Sequence, residues 1–140
     1  MIRLVFDQHD RVASWVESKI VARIAKPYVA IGATKDGQTL CGGAVFNNWN
    51  GHNIEITLAS DGCLTRGTIR GIYHYLFVQS KAGRVTAHTR RSNETMRDML
   101  PRFGFVPEFG GQPAKRFYGP KKSDDAFVFV LFPENARKFL

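Results

Sequence analysis

The sequence contains few of the residues on which small cross-linked or metal-bound domains depend. It has two cysteines, Cys41 and Cys63, and four histidines among 140 residues. The cysteines form no Cys-x-x-Cys pair and have no histidine cluster beside them, so neither a metal site nor a disulfide framework is predicted. A reducing compartment is the simplest setting for such a chain, and we therefore expect a cytoplasmic protein.

Long apolar runs are also absent. The longest, residues 126–132, is far shorter than the ~20 residues that span a bilayer, and the N-terminus lacks the basic-then-apolar pattern of a signal peptide. We therefore expect no membrane partner. This run is rich in β-branched and aromatic residues, so it predicts a buried strand. It could also pair across a homodimer, because an exposed strand of this composition favours association.

Acidic residues are scarce in the second half of the chain. The length fits one domain over residues 1–140. The net charge is +8, and residues 61–140 hold 14 basic and 7 acidic groups against 6 and 5 in residues 1–60. The excess favours a phosphorylated cofactor or nucleic acid as partner, although a solvated basic surface explains it equally well. Nucleic acid is the least favoured partner, because no RNA-recognition or helix-turn-helix pattern accompanies the charge.

Hydrophobic periodicity predicts ten main elements in the order β-α-β-β-β-α-β-α-β-β. A short strand and a helix ending near Ile24 precede three strands, which the turn signals Asp36-Gly37 and Asn50-Gly51 separate into an antiparallel meander. A central helix, a strand and a third helix follow, before two final strands. Pro101 predicts a kink or an early end of the third helix, and Gly104 predicts its left-handed cap.

The most informative stretch runs from residue 52 to 93 and reads as a strand, a crossover helix and a second strand. The helix has an apolar face with the spacing i, i+3, i+4, i+7 and i+8, formed by Ile69, Ile72, Tyr73, Leu76 and Phe77. Arg66 and Arg70 lie near its start, on another face. Free backbone N–H groups together with positive charge at a helix N-terminus suit a phosphate-bearing ligand.

With this order of elements, the chain resembles the GNAT superfamily of acetyl-CoA-dependent N-acyltransferases. Asn93 is followed eleven residues later by Gly104-Phe105, which looks like the family's Asn-to-GF helix motif. Arg66 and Gly71 match the ends of its pyrophosphate turn, and Ile69 stands where the middle glycine is usual. The resemblance implies an α/β (α+β) fold, with a mixed, mostly antiparallel central sheet of about seven strands and helices on both faces.

The resemblance also implies a ligand and the residues that bind it. The ligand is acetyl-CoA, whose pyrophosphate would meet backbone amides of the stretch Arg66, Gly67, Thr68, Ile69, Arg70 and Gly71. Leu58, Ala59 and Ser60 would pair with the pantetheine arm, and Asn93 would hydrogen-bond the arm farther along. The implied activity is transfer of an acetyl group to a primary amine in a direct ternary complex, with an unknown small molecule or protein as acceptor.

The catalytic groups are less clear from the sequence than the binding residues. We expect Glu55 to be the general base, because it lies in the strand that leads to the turn, on the side opposite Ile54 and Ile56. A surface glutamate paired with a cation is the alternative. The proton-donating tyrosine usual in the family is replaced by Leu100. A GNAT-like binding or regulatory module without catalytic activity therefore stays open as an alternative function.

Two further residues have open roles. His88 follows Arg84 and Thr86 on one side of the fifth strand, and either lines the acceptor cleft or is a satisfied structural histidine. Cys63 lies beside the turn, where positive charge would make it reactive, although a buried and inert thiol is the better interpretation.

Overall fold

One seven-stranded sheet organises the computed structural model, which describes residues 1–140. Its strands are β1 Arg3–Val5, β2 Tyr28–Thr34, β3 Leu40–Asn47, β4 Asn53–Ser60, β5 Arg84–Arg90, β6 Val106–Pro107 and β7 Ala126–Leu131. They lie in the order β1-β2-β3-β4-β5-β7-β6. Only β4 and β5 pair in parallel, because a helical crossover separates them, and every other pair is antiparallel. The predicted sheet is confirmed.

Four α-helices accompany the sheet, namely α1 His9–Ile20, α2 Arg66–Tyr73, α3 Glu94–Arg102 and α4 Pro133–Ala136. Helix α1 ends earlier than expected, because Val21 adopts the left-handed conformation at φ 54°. Helix α2 continues as a π-helical segment, His74–Gln79. Helix α3 ends one residue after Pro101, and Gly104 has the expected positive φ of 97°. Helix α4 was not predicted, since four residues are too few to establish a period.

The two faces of the sheet carry separate cores. Twenty buried residues pack on the face covered by α2 and α3, and eight pack beneath α1. Helix α1 approaches the sheet so closely that a Cβ on Gly43 would lie 2.9 Å from Val16 Cγ2. The register of β2 against β3 also shifts between Ala33 and Thr34. Both features occur at or beside Gly42 and Gly43 of β3, where the absence of a side chain permits a close approach or a bulge.

The prediction that the cysteines stay unpaired is wrong, because Cys41 and Cys63 form a disulfide with a Cα–Cα distance of 5.6 Å. The β3–β4 hairpin brings them together. Ser60 lies opposite Gly42, and the chain then turns back so that the Asp61 N–H donates to the Cys41 carbonyl. Disulfides persist mainly in oxidising environments, so the pairing lends no support to the cytoplasmic expectation. None of the helices is long and apolar enough to cross a membrane.

Candidate active site

A cleft opens where the two parallel strands separate. Pairing between β4 and β5 runs from Asn53 opposite Arg84 to Ile56 opposite Ala87 and then stops. Beyond that point β4 remains paired with β3, while β5 remains paired with β7, so the two strands diverge. The gap between them opens into a cavity of about 600 Å³ that also reaches the start of α3 and the end of α1.

Four of the residues predicted to bind the ligand line this cavity, namely Leu58, Ala59, Ser60 and Asn93. The Ser60 hydroxyl accepts hydrogen bonds from the N–H groups of Cys63 and Leu64, which shapes the turn before α2. Asn93 caps α3, because its Oδ1 accepts the N–H of Met96 at 3.2 Å. The Asn93 amide nitrogen has no partner within the chain and remains available to a ligand.

The stretch from Arg66 to Gly71 lies inside α2 instead of in a turn before it. Thr65 is the N-cap, since its hydroxyl accepts the Thr68 N–H and its carbonyl accepts the Ile69 N–H. The N–H groups of Arg66 and Gly67 donate no hydrogen bond within the chain. These two groups are therefore the part of the predicted stretch that can meet an anion directly.

The side chains of this stretch have other partners. The Arg66 guanidinium donates to the Lys138 carbonyl at 2.8 Å and lies 5.0 Å from the centre of the Phe139 ring. Arg70 is exposed and forms no ion pair or hydrogen bond through its side chain. Ile69 is buried in the core. A Cβ on Gly71 would lie 2.3 Å from Leu4 Cδ1, so this glycine allows α2 to pack against β1.

Glu55 lies on the α1 face of β4, as the alternation predicted. Ala59 lies on the same side of the strand as Glu55 and belongs to the core beneath α1, whereas Ile54 and Ile56 belong to the opposite core. Glu55 is half-buried, and its Oε2 accepts a hydrogen bond from Asn48 Nδ2 at 2.6 Å. No cation pairs with it. The carboxyl group is therefore held in place by a neutral donor and has no cation partner.

His88 and Tyr118 line the same cavity. Burial lowers the pKa of His88 below its ordinary 6.5, although the nearby charge of Glu55 opposes the shift. The Tyr118 hydroxyl donates to the His88 carbonyl at 3.1 Å. Burial raises the pKa of Tyr118 to about 12, an effect that Arg90 opposes and Glu55 reinforces. Both side chains are thus predominantly neutral at pH 7, and both are close enough to Glu55 to sense its charge.

The sequence did not assign Tyr118 to the site. It lies in the irregular segment between β6 and β7, where no periodicity indicates which side chains face inward. The tyrosines on α2 and its extension do not line the cavity, and the Tyr73 hydroxyl donates instead to the Phe103 carbonyl at 2.6 Å. Leu100 is buried at the position where the resemblance expects a tyrosine, and it does line the cavity. Tyr118 is therefore the one phenol facing this space.

Arg90 joins the two walls of the site. Its Nη1 binds Asp124 Oδ1 at 2.6 Å, its Nη2 donates to the Val21 carbonyl at 3.1 Å, and its guanidinium lies 4.7 Å from the centre of the Tyr118 ring. The end of α1 is thereby connected to the segment before β7. These contacts fix Tyr118 against β5 and define the distance between the two walls.

Comparison with solved structures identifies the fold. No protein-family model matches the chain, and no curated protein does so significantly. Spermidine N-acetyltransferase from Vibrio cholerae, solved with CoA and spermine, matches with a TM-score of 0.72 and 11% identity over 97% of this chain and 98% of that one. Ribosomal-protein-S5-alanine acetyltransferase from Vibrio fischeri matches with a TM-score of 0.65 and 12% identity, over 94% and 91%. The chain has the GNAT acetyltransferase fold, as the resemblance implied.

Proposed function

We propose that the protein is an acetyl-CoA-dependent N-acetyltransferase that transfers the acetyl group directly to a primary amine in a ternary complex. The observation that carries this proposal is the divergence of β4 and β5 into a cavity of about 600 Å³ next to the unbonded N–H groups at the start of α2. An extended thioester with a diphosphate at one end fits these two features together. The GNAT fold of the chain agrees with the proposal.

The residues of the cleft suit the successive parts of acetyl-CoA. The N–H groups of Arg66 and Gly67, at the positive end of the α2 dipole, would hold the pyrophosphate. The backbone of residues 58–60 has no strand partner on the cleft side and would pair with the amide-containing arm. Met96 and Met99 offer apolar surface beside it. The free Asn93 amide nitrogen would donate a further hydrogen bond.

Acetyl transfer from a thioester to an amine requires one group that accepts a proton and another that donates a proton. Acetyl-CoA would supply the acetyl group as a thioester. We assign Glu55 to accept the proton of the incoming ammonium, directly or through water, because it is a fixed carboxylate on the face beside the cleft. When the C–N bond forms, the C–S bond breaks with its electron pair on sulfur. Tyr118 Oη is the proton donor that we assign to that sulfur, in place of the tyrosine absent at Leu100, and the second proton that the nitrogen loses restores the Tyr118 phenol, directly or through water.

The experiment that tests the proposal measures binding and transfer separately. Titration calorimetry of acetyl-CoA into the purified protein should give micromolar affinity, about −8 kcal/mol. CoA release with a panel of primary amines should then be detectable, and Glu55→Gln should lose turnover while retaining acetyl-CoA affinity. The absence of binding at millimolar acetyl-CoA would refute the proposal and leave a GNAT fold with another role. Binding without transfer to any amine would favour a module that lacks catalysis.

A further inference from the structure

Two segments border the mouth of the cleft on the α1 face of the sheet. The first is the coil after α1, residues 21–27, where Val21 lines the cavity and the Ala25 carbonyl accepts a hydrogen bond from Asn47 Nδ2. Asn47 lies directly opposite Glu55 in the sheet. The second is residues 112–122, which approach β5 through Tyr118. Together they carry six exposed basic residues, called the basic rim: Arg23, Lys26, Lys115, Arg116, Lys121 and Lys122.

The basic rim contains no compensating acid. Residues 18–35 and 109–123 include no aspartate or glutamate, and no member of the rim forms an ion pair. Of the carboxylates nearby, Asp61 binds Lys19 at 2.8 Å and Asp124 binds Arg90 at 2.6 Å, while Glu17 accepts the Ile24 N–H at 2.8 Å and has no cation partner. The mouth of the cleft is thus predominantly positive, and the Glu55 carboxylate lies on the same face of the sheet without a cation partner.

Resting on the proposed acetyl transfer, we infer that the acceptor is an amino group within an acidic polypeptide segment. The amine would reach Glu55, while carboxylates on either side of it along the chain would meet the basic rim. This arrangement disfavours a polyamine, because several ammonium groups would face six cations and only two carboxylates without a cation partner, Glu17 and Glu55. Opposite charges that lie within about one Debye length attract each other appreciably, and this length is about 10 Å or more at low ionic strength.

The aromatic residue at the rim argues for a polypeptide. Phe117 follows Arg116, is 50% exposed, and stacks on the His88 ring with 4.7 Å between centroids and 5° between planes. The Arg116 N–H donates to Asp125 Oδ1 at 2.9 Å, and this hydrogen bond holds the segment around Phe117 in place without any ligand. Arginine and aromatic side chains are enriched in protein interfaces. Nucleic acid would also meet the cations and the ring, but its base amines are poor nucleophiles and its phosphates would be repelled by Glu55.

The test compares acceptors that differ only in charge. Three peptides of equal length, each with one free amine flanked by acidic, neutral or basic residues, are assayed beside spermidine for acetylated product by mass spectrometry. Peptide affinity is measured independently by fluorescence anisotropy in the presence of CoA. We expect kcat/KM and affinity for the acidic peptide to exceed those for the basic peptide by about tenfold or more, and the difference to shrink as salt increases.

Matched variants locate the effect. Lys115→Glu with Arg116→Glu should remove or invert the preference, whereas Lys81→Glu with Arg102→Glu should not, because neither residue is near the cleft. The control has the same change in charge, and Lys81 shares with Arg116 a positive φ, at 54° and 56°. Both variants should retain acetyl-CoA affinity.

A preference for spermidine or the basic peptide, equal rates for all peptides, or no transfer to the acidic peptide would overturn the inference. RNA that binds the rim while the acidic peptide does not would overturn it in favour of a nucleic-acid partner. Failure of the proposed function is recognised separately, because the wild-type protein would then either not bind acetyl-CoA or bind it without acetylating any acceptor, spermidine included.

Discussion

The N-terminus of α2 allows the backbone and side-chain contributions of one residue to be separated. Arg66 occupies the first position of the helix, where proline is well accommodated. Thr65 before it has φ −90° and ψ 171°, an extended conformation that a following proline requires. Arg66→Pro therefore removes one of the two unbonded N–H groups and leaves the helix intact. Arg66→Ala removes the same guanidinium and keeps the N–H group.

The expected magnitudes differ between the two variants. A hydrogen bond from an N–H group to a charged oxygen contributes about 1.5 to 3 kcal/mol, and exposure at the helix end places the value near the lower limit. Arg66→Pro should thus weaken acetyl-CoA binding about tenfold relative to Arg66→Ala. Arg66→Ala alone should change the affinity little, because the guanidinium is occupied by the Lys138 carbonyl and the Phe139 ring. Both variants lose those contacts equally.

Titration calorimetry with acetyl-CoA gives the two dissociation constants, and thermal unfolding without ligand checks that both variants fold. Equal affinities for Arg66→Pro and Arg66→Ala would refute the assignment of the pyrophosphate to this helix end. A tenfold loss of acetyl-CoA affinity in Arg66→Ala would refute the expectation that the guanidinium contributes little. It would mean that the guanidinium binds the ligand in place of the Lys138 carbonyl. Asp61→Asn, in the preceding turn, serves as a comparison that alters charge without removing an N–H group.

Three further perturbations test the candidate active site and the disulfide beside it. Cys41→Ser with Cys63→Ala should lower the free energy of unfolding by about 3 kcal/mol, because the disulfide closes a loop of 22 residues; a reductant should shift the wild-type denaturation midpoint equally, and no shift would contradict the pairing. Glu55→Gln should reduce kcat/KM by about 10²- to 10⁴-fold with unchanged acetyl-CoA affinity, and an unchanged rate would identify a different base. Burial holds the pKa of His88 below 6.5 in the folded state, so the unfolded chain binds this proton first as the pH falls. The stability contributed by neutral His88 should be present above 6.5 and lost below it, and urea unfolding of His88→Gln should lack this part of the pH dependence.

The sheet was predictable because its pattern is local. Apolar alternation in β4 assigned Ile54 and Ile56 to one face and Glu55 to the other, and the two cores agree with that assignment. The turn signals separated the meander, and the helical period defined α2. The divergence of β4 and β5 after Ile56 and Ala87, which opens the cleft, was not predicted, because it depends on the separate pairing of these strands with β3 and β7. The strand faces, the turns and the helix could be predicted because each depends only on residues close to one another in the sequence.

The contacts that cross the molecule could not be predicted in this way. Cys41 and Cys63 meet because a hairpin reverses the chain between them, and no spacing rule identifies that pair. Tyr118 reaches the cavity from an irregular segment, where side-chain direction depends on tertiary contacts such as that with Arg90. The Arg66 guanidinium finds its acceptor 72 residues away. Each of these three contacts depends on chain segments whose relative position only the complete fold defines.

The departure at Ile69 from the glycine of the family motif is explained by where α2 begins. Because Thr65 caps the helix, residue 69 is already one turn inside it, and its side chain packs in the core instead of facing a ligand. Gly71 is required for a different reason, namely the approach of Leu4. The unbonded N–H groups proposed to hold the pyrophosphate arise from the helix start itself and do not depend on a glycine at position 69. A mismatch in the motif is therefore compatible with phosphate binding, provided that the cap at Thr65 is kept.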